Sequence, residues 1–259
     1  LMALLDVENL GLSFAGLHVI KELSFSVEEG SIASLIGPNG AGKTSVFNCL
    51  TGFYKPNAGQ ILFDGKQITR KRPYKITRSG MARTFQNLRL FKSMTVLENV
   101  MSGMHCRTHT GAIGAVLRTS TQRREEAEIR EFCESCLDFV GILDEKDRTA
   151  SNLPYGHQRR VEWARALATK PKLLLLDEPA AGLNYDEKQQ LIKLIKRIRD
   201  QLNITILLIE HDMGLVMKVS EMITVIDYGQ KIAQGSAEEV QSNPRVIEAY
   251  LGREEDEVA

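Results

Sequence analysis

The sequence predicts an α/β fold: a mostly parallel sheet with an antiparallel β subdomain and an inserted α-helical subdomain. Short apolar runs at residues 31–36, 172–176 and 204–209 alternate with amphipathic stretches, which is typical of parallel sheets covered by helices. Residues 4–29 instead alternate apolar and polar positions, as antiparallel strands do. Residues 95–150 lose the strand pattern and take on helical periodicity, which predicts the insertion.

The composition limits the classes of protein to which the chain can belong. Its 259 residues suffice for one large domain or two small ones with a sizeable core. Lys and Arg together number 33, as do Asp and Glu, so no net charge attracts nucleic acid or anionic lipid. The longest apolar runs are too short to cross a bilayer and no secretory leader pattern opens the sequence, so we expect a cytosolic protein.

The first half of the chain carries a strand–loop–helix pattern. The apolar run at residues 31–36 leads into a glycine-rich loop, and residues 43–50 then open a helix. Further strands are predicted at residues 60–63 and 81–85. We assign residues 1–94, with the antiparallel subdomain, to the first part of the core.

The second half contains the helical insertion and the return to the core. The insertion is assigned to residues 95–168 and is clearest in the amphipathic stretch 121–140. Strands and helices then alternate through the last part of the core, residues 169–259. The predicted elements there are strands at 172–176, 204–209 and 222–226 and helices at 186–202 and 213–219.

The cysteines and their neighbouring histidines do not predict a metal or disulfide site. Four cysteines are too few for a disulfide framework in a chain of this length. Cys133 and Cys136 have the spacing of a redox or zinc motif, but both fall on the apolar stripe of the long helix and are predicted as core residues. His105, Cys106 and His109 have metal-binding side chains, yet no second ligand pair follows at a closing spacing.

The glycine-rich loop reads G-P-N-G-A-G-K-T and fits the phosphate-binding pattern G-x-x-x-x-G-K-[ST]. Its glycines let backbone N–H groups wrap a phosphate chain, its lysine reaches the β- and γ-phosphates from a solvated loop, and its threonine hydroxyl suits Mg²⁺. A chance match in a glycine-rich turn is the alternative, but a strand before and a helix after are the context that the motif requires. The predicted nucleotide contacts are Gly37, Pro38, Asn39, Gly40, Ala41, Gly42, Lys43, Thr44 and Ser45, with Thr44 also a metal ligand.

Polar side chains follow three of the predicted strands. Asp177 ends a buried strand and is suited to holding Mg²⁺, and Glu178 after it is suited to act as general base on water. His211 follows the next parallel strand and Gln86 follows another. The carboxyl ends of parallel strands meet at one edge of a sheet, so we expect His211 at the γ-phosphate and Gln86 near the metal and water. Each signal is weak alone, and the combination with the phosphate loop carries the prediction.

Two residues upstream of the phosphate loop are further candidates for nucleotide binding. Phe14 and Val19 precede the core strand. An exposed aromatic ring at position 14 would stack on adenine, although by spacing alone Phe14 fits a core position equally well.

Together these motifs resemble the nucleotide-binding subunits of ABC transporters. Residues 153–162, L-P-Y-G-H-Q-R-R-V-E, are similar to that family's signature region, L-S-G-G-Q followed by a basic helical stretch. Residues 177–184, 208–213 and 243–252 resemble in particular the ATPase subunits of branched-chain (hydrophobic) amino-acid importers. The resemblance covers nearly the whole chain.

The resemblance implies a P-loop NTPase core of the ABC ATPase type, with ATP and Mg²⁺ as ligands. It implies that Phe14 stacks on adenine, that Gln86 senses the metal and faces the membrane subunit, and that His211 contacts the γ-phosphate. It also implies that Gly156 in the signature loop binds the ATP of a partner subunit and that residues 182–184 cross the dimer.

The resemblance further implies the partners and the location. The expected assembly is a head-to-tail homodimer, or a heterodimer with a related ATPase subunit, bound to permease subunits at the cytoplasmic face of the inner membrane. A periplasmic or extracellular solute-binding protein would act indirectly, and no nucleic acid is expected. We expect Leu88, Leu90 and Phe91 to be exposed apolar residues at the permease contact.

Two positions depart from the family pattern. Pro154 replaces the signature serine, and Asn184 stands where many relatives have Asp. Both resemble features of the importer branch, so we interpret them as marks of a subtype rather than of inactivation.

Other functions fit the same motifs less well. An ATPase of a lipopolysaccharide-export type transporter shares much of the signature region and is the main alternative. A soluble ABC ATPase acting on nucleic acid usually carries two cassettes or a long coiled-coil insertion, and this chain has neither pattern. A non-catalytic subunit is disfavoured because Lys43, Asp177, Glu178 and His211 are all present.

Overall fold

The structure, a computed structural model, describes residues 3–107 and 120–251. Strands in two sheets are combined with helices, which confirms the predicted α/β fold. None of the helices described is both long and apolar enough to cross a membrane. His109, one of the residues weighed as a metal ligand, lies outside the described residues.

The elements follow one another in the predicted alternation. The strands are β1 (Ala3–Phe14), β2 (Leu17–Glu28), β3 (Ile32–Ile36), β4 (Ala58–Phe63), β5 (Lys66–Gln67), β6 (Met81–Arg83), β7 (Leu173–Asp177), β8 (Thr205–Ile209), β9 (Met222–Asp227) and β10 (Gln230–Gly235). The helices are α1 (Lys43–Leu50), α2 (Pro73–Ser79), α3 (Val96–Met104), α4 (Ser120–Phe139), α5 (Tyr155–Ala168), α6 (Tyr185–Leu202), α7 (Met213–Val219), α8 (Ala237–Gln241) and α9 (Pro244–Leu251).

Two compact units are formed by the described residues. One contains residues 3–76 and 172–251, and the other contains residues 77–107 and 120–171.

The first unit begins with an antiparallel sheet, as the alternation in residues 4–29 predicts. Its four strands lie in the order β2-β1-β4-β5, and β1 pairs antiparallel with both β2 and β4. Alternate residues of β1, such as Leu5 and Val7, are fully buried, while Asp6 between them is half-buried. The apolar face of each strand is thus covered, and the polar positions stay near solvent.

A mostly parallel sheet follows in the same unit and positions the phosphate loop. Five of its strands lie in the order β10-β9-β3-β8-β7; β3 is parallel to β8 and β9, and β7 is parallel to β8. Every residue of β3, β7 and β8 is buried, which explains why these strands are mostly apolar. The polar strand β10, which pairs antiparallel with β9, was not predicted from the sequence.

The second unit is largely helical within its described residues. Helix α5 packs against α3 and α4, and a Cβ at Gly103 of α3 would overlap the backbone carbonyl of Arg165 in α5. Cys133 and Cys136 are buried, as predicted, and burial raises the pKa of their thiols to about 11 and about 12. Both thiols stay protonated at neutral pH and pack as core residues. The finer division of the chain at residues 94/95 and 168/169 stays a prediction.

Candidate active site

The phosphate loop connects β3 to α1, in the context that its motif requires. A Cβ at Gly37 would overlap the backbone carbonyl of Ile226, and a Cβ at Gly42 would lie 3.0 Å from the carbonyl oxygen of Val19. Gly42 also has a φ of 103°, a left-handed conformation that L side chains rarely adopt. Glycine is therefore required where the loop meets the neighbouring strands.

Lys43 is buried, contrary to the prediction of a solvated lysine. Its Nζ donates hydrogen bonds to the carbonyl oxygens of Gly37 at 2.6 Å and Pro38 at 2.9 Å. The loop folds its own carbonyls around the ammonium group, so burial does not leave the charge without acceptors. The lysine thus stabilises the loop as well as placing a positive charge within it.

Helix α1 starts at this loop with its first turn open to a ligand. Gly42 is the N-cap, and no side chain among the described residues caps the helix. Backbone N–H groups at a helix start favour an anion, so the loop and helix are suited to phosphate. Of the other predicted contacts, Asn39, Gly40 and Thr44 are exposed, Ser45 is half-buried, and Pro38 and Ala41 are buried.

Neighbouring segments hold the phosphate loop in place. Val19 lies against Gly42, as the closeness of its carbonyl shows. Gly229, between β9 and β10, donates its N–H to the carbonyl of Ala41 at 3.0 Å. Phe14 is exposed, and its ring stands edge-on to that of Tyr54 with centroids 5.1 Å apart. Phe14 therefore lies at the surface next to Tyr54, and its stacking on adenine stays a prediction.

The carboxyl ends of β7 and β8 bring two predicted segments together. Asp177 is in register with Ile209, and the N–H of Glu178 donates to the carbonyl of Ile209 at 2.9 Å. Asp177 itself is buried at the end of its strand. A carboxylate here and the exposed Thr44 hydroxyl are the oxygen donors that Mg²⁺ prefers.

Glu178 and His211 approach each other beyond these strand ends. The Oε2 of Glu178 lies 3.9 Å from the Nδ1 of His211, and the imidazole is largely exposed. The backbone of Glu178 has a φ of 47°, in the left-handed region that costs free energy for a residue with a side chain. Such strain clusters at functional sites because the surrounding structure must hold it.

The segment after His211 is fixed by Asp212. Its side chain accepts the N–H of Leu215 at 3.1 Å, which caps α7, and accepts a hydrogen bond from Lys188 at 2.5 Å. The hydrogen bond from Lys188 holds the pKa of Asp212 below its usual range. Asp212 therefore stays ionised and keeps the start of α7 ordered next to His211.

Gln86 lies in the second unit, three residues beyond the end of β6, and is exposed. Helix α5 holds its loop: Arg159 donates to the carbonyl of Gln86 at 3.4 Å, and Arg165 donates to that of Arg89 at 2.5 Å. Glu162, also on α5, accepts the N–H of Phe85 at 3.3 Å, and burial raises the pKa of its carboxyl to about 7.

The apolar residues of this loop are less exposed than predicted. Leu88 and Leu90 are half-buried, and only Phe91 is exposed as expected. Asn99 explains part of the difference, because its side chain bonds both the N–H and the carbonyl of Phe91 and folds the loop onto α3.

Gly156 is the second residue of α5 and is half-buried. Pro154 is the N-cap and has no side-chain hydrogen bond to the helix. Gln158 ties the segment together by donating its side-chain amide to the carbonyl of Leu153 at 2.9 Å. The signature segment therefore ends in a helix start, as the resemblance implies.

Sequence reasoning missed Glu210, which precedes His211. Its carboxylate is fully buried and accepts three backbone N–H groups from the loops after β7 and β8. An acidic residue directly after a fully apolar strand was the available signal, because such a position is buried and a buried carboxylate needs donors.

Comparison with known proteins extends the resemblance. The ABC transporter family matches residues 20–181, and a family described as branched-chain amino acid ATP-binding cassette transporter matches residues 230–256. The chain is 47% identical over 249 residues to the "High-affinity branched-chain amino acid transport ATP-binding protein BraF" of Pseudomonas aeruginosa, covering 96% of this chain and 98% of that protein. It is also 47% identical to LivG of Escherichia coli, a protein described in the same words, with the same coverage.

A solved structure shows the same fold. It is the ADP conformation of MJ1267, an ATP-binding cassette of an ABC transporter, which superposes with a TM-score of 0.84 at 33% identity. The match covers 97% of this chain and all of MJ1267.

The fold and the site define a P-loop nucleoside triphosphatase: a phosphate loop between strand and helix, with an acidic pair on a parallel strand of the same sheet. Three strands, β4, β5 and β6, separate β3 and its loop from β7 and the acidic pair in sequence, whereas β8 alone lies between β3 and β7 in the sheet. The chain belongs to the ATP-binding subunits of ABC transporters, and it is an ATPase.

Proposed function

We propose that this chain powers the uptake of branched-chain amino acids by hydrolysing ATP at the cytoplasmic face of the inner membrane. The match of residues 230–256 carries this proposal, because it lies outside the ATPase region common to ABC transporters. The names of BraF and LivG support the same branch. Permease subunits, a second ATPase subunit and, indirectly, a solute-binding protein complete the proposed assembly.

Binding of ATP is assigned to the phosphate loop and its neighbours. The Lys43 ammonium and the backbone N–H groups of the loop bind the phosphates, and Phe14 stacks on the adenine. Thr44 and Asp177 hold Mg²⁺, which when bound offsets charge on the phosphate oxygens.

Hydrolysis is assigned to the carboxyl ends of β7 and β8. The Glu178 carboxylate accepts the proton of the attacking water, and the exposed imidazole of His211 donates to the γ-phosphate. Gln86 is assigned an amide contact with the water and the metal. In the head-to-tail dimer, Gly156 at the start of α5 contacts the ATP held by the partner subunit.

Uptake in cells tests this function. A strain without its own leucine importers, carrying the operon that encodes this chain and its permeases, should accumulate labelled leucine, isoleucine and valine. The same operon with Glu178→Gln should abolish uptake, whereas Glu239→Gln, at a capping carboxylate of α8, should leave it unchanged. Normal leucine uptake with Glu178→Gln, together with lost lipopolysaccharide export, would instead favour the export-type ATPase.

Replacing Pro154 with the serine of the family pattern should raise both the stability and the ATPase rate of the subunit. Pro154 caps α5 without a side-chain bond, and a serine N-cap stabilises a helix by about 1 kcal/mol. The same hydroxyl offers the partner's γ-phosphate a hydrogen bond that proline lacks. Pro154→Ser should therefore raise both the melting temperature and the ATPase rate of the isolated protein. Equal rates, with both forms dimerising readily in ATP, would show that the remaining donors of the loop suffice.

A further inference from the structure

We infer that Glu210 is a positioning residue that fastens the Glu178 loop to the His211 loop, so that the two groups act on one ATP as a unit. The inference rests on the proposed roles of Glu178 and His211. Glu210 touches neither substrate nor water in this scheme and acts through the backbone of its neighbours.

The contacts of Glu210 reach both loops. Its Oε1 accepts the N–H of Ala180, two residues after Glu178, at 2.7 Å. Its Oε2 accepts the N–H groups of His211 at 3.0 Å and Asp212 at 3.2 Å. One carboxylate thus joins the segments that leave β7 and β8, beyond the last pairing between these strands.

Burial makes this bridge rigid. Glu210 is fully buried, so water does not compete for its donors, and an acceptor lost here would leave buried N–H groups unsatisfied. Lys188, bonded to Asp212, faces this carboxylate from α6 and offsets its charge, and the Nδ1 of His211 lies 3.8 Å from its Oε2. The side chain is therefore held by charge and by three hydrogen bonds.

The chemistry of the bridge requires a carboxylate. Three N–H donors converge on two oxygen atoms that both accept. Glutamine has the same size but one acceptor, and its amide N–H₂ would face a donor on one side. A glutamine at position 210 can therefore accept either the N–H of Ala180 or the N–H groups of His211 and Asp212, but it cannot accept all three. Aspartate keeps both oxygens and the charge, but its shorter arm reaches only the segment adjacent to it.

A purely structural role makes a different prediction from a bridging role. If Glu210 only stabilises the fold, its variants lower the melting temperature while each folded molecule hydrolyses ATP normally. If Glu210 joins the two loops, nucleotide affinity is kept because Lys43 and the phosphate loop are untouched, and kcat falls. A small misplacement of catalytic groups is enough for a loss on the order of 100-fold.

The test compares full-length Glu210→Gln and Glu210→Asp with wild type and with Glu239→Gln, whose carboxylate bonds only its own helix cap at Ser236. We expect kcat to fall 10- to 100-fold in both Glu210 variants, with the KM for MgATP within about twofold of wild type. The control should keep the wild-type rate. The aspartate variant, which retains the charge and both oxygens, keeps the test decisive if the glutamine variant does not fold.

Hydrogen exchange tests whether Glu210 joins the two loops, without relying on ATPase activity. With Mg²⁺ and AMP-PNP, peptides covering residues 178–183 and 210–213 should both gain protection in wild type, and only the second should do so in the Glu210 variants. Protection of both peptides in a folded variant, or a kcat within twofold of wild type, would overturn the inference. Glu178→Gln measured in parallel separates the two claims: full hydrolysis by that variant removes Glu178 as base, whereas the exchange result still decides the bridge.

Discussion

Replacing Lys43 with alanine should abolish binding of ATP while the fold persists. The ammonium group lies among the carbonyls of Gly37 and Pro38, in the loop that leads into the first turn of α1. Without it the carbonyl dipoles are uncompensated and the phosphates lose their positive charge. We expect the affinity for MgATP to fall at least 100-fold in isothermal titration calorimetry.

A matched lysine controls for general effects of lost charge. Lys66 in β5 is exposed and belongs to the same unit, so Lys66→Ala should bind MgATP with wild-type affinity. The two hydrogen bonds lost with Lys43 are worth a few kcal/mol at most, so the circular dichroism spectrum of Lys43→Ala should remain that of a folded protein. A folded Lys43→Ala that binds ATP with near wild-type affinity would contradict the assignment of the phosphate loop.

The sequence predicted the core strands and two helices closely. Helices α1 and α7 have the predicted bounds, β3 and β8 each begin one residue later than predicted, and β7 is shifted by one residue at both ends. These elements carry strong local signals, because a strand that is buried on both faces is mostly apolar and a glycine-rich loop marks the helix start. The strand β10 escaped detection because it is polar and is held by backbone hydrogen bonds to β9.

The features that the sequence did not predict depend on the course of the backbone and on contacts between segments that are distant in sequence. A lysine in a glycine-rich loop is expected in water, and only the fold turns the carbonyls of residues 37 and 38 around it. Leu88 and Leu90 are half-buried because their loop is tied to α3 and α5, which lie elsewhere in the sequence. Glu210 acquires one of its three donors, the N–H of Ala180, from a loop thirty residues away. Residue types identify candidate groups, and tertiary contacts decide what those groups face.

Glu178→Gln should bind MgATP and fail to hydrolyse it. Glutamine matches glutamate in size and tolerates the same backbone conformation at a similar cost, so the left-handed turn at φ 47° should persist. The amide oxygen is too weak a base to accept the proton of water, and loss of a general base lowers a rate by about 10²–10⁴-fold. Affinity should be unchanged because Lys43, Thr44 and Asp177 remain.

Trapped ATP should then hold two copies of the chain, or the chain and a related subunit, as a closed dimer. Light scattering of Glu178→Gln should give a monomer mass without nucleotide and a dimer mass with MgATP, whereas wild type returns to monomer as it consumes ATP. Glu239→Gln controls for a lost carboxylate, since its partner is the N–H of Ser236 in a distant helix cap. Hydrolysis by Glu178→Gln at the wild-type rate would show that another group acts as the general base. The exposed His211 would then be the first group to replace, because its titratable imidazole lies 3.9 Å from the Glu178 carboxylate.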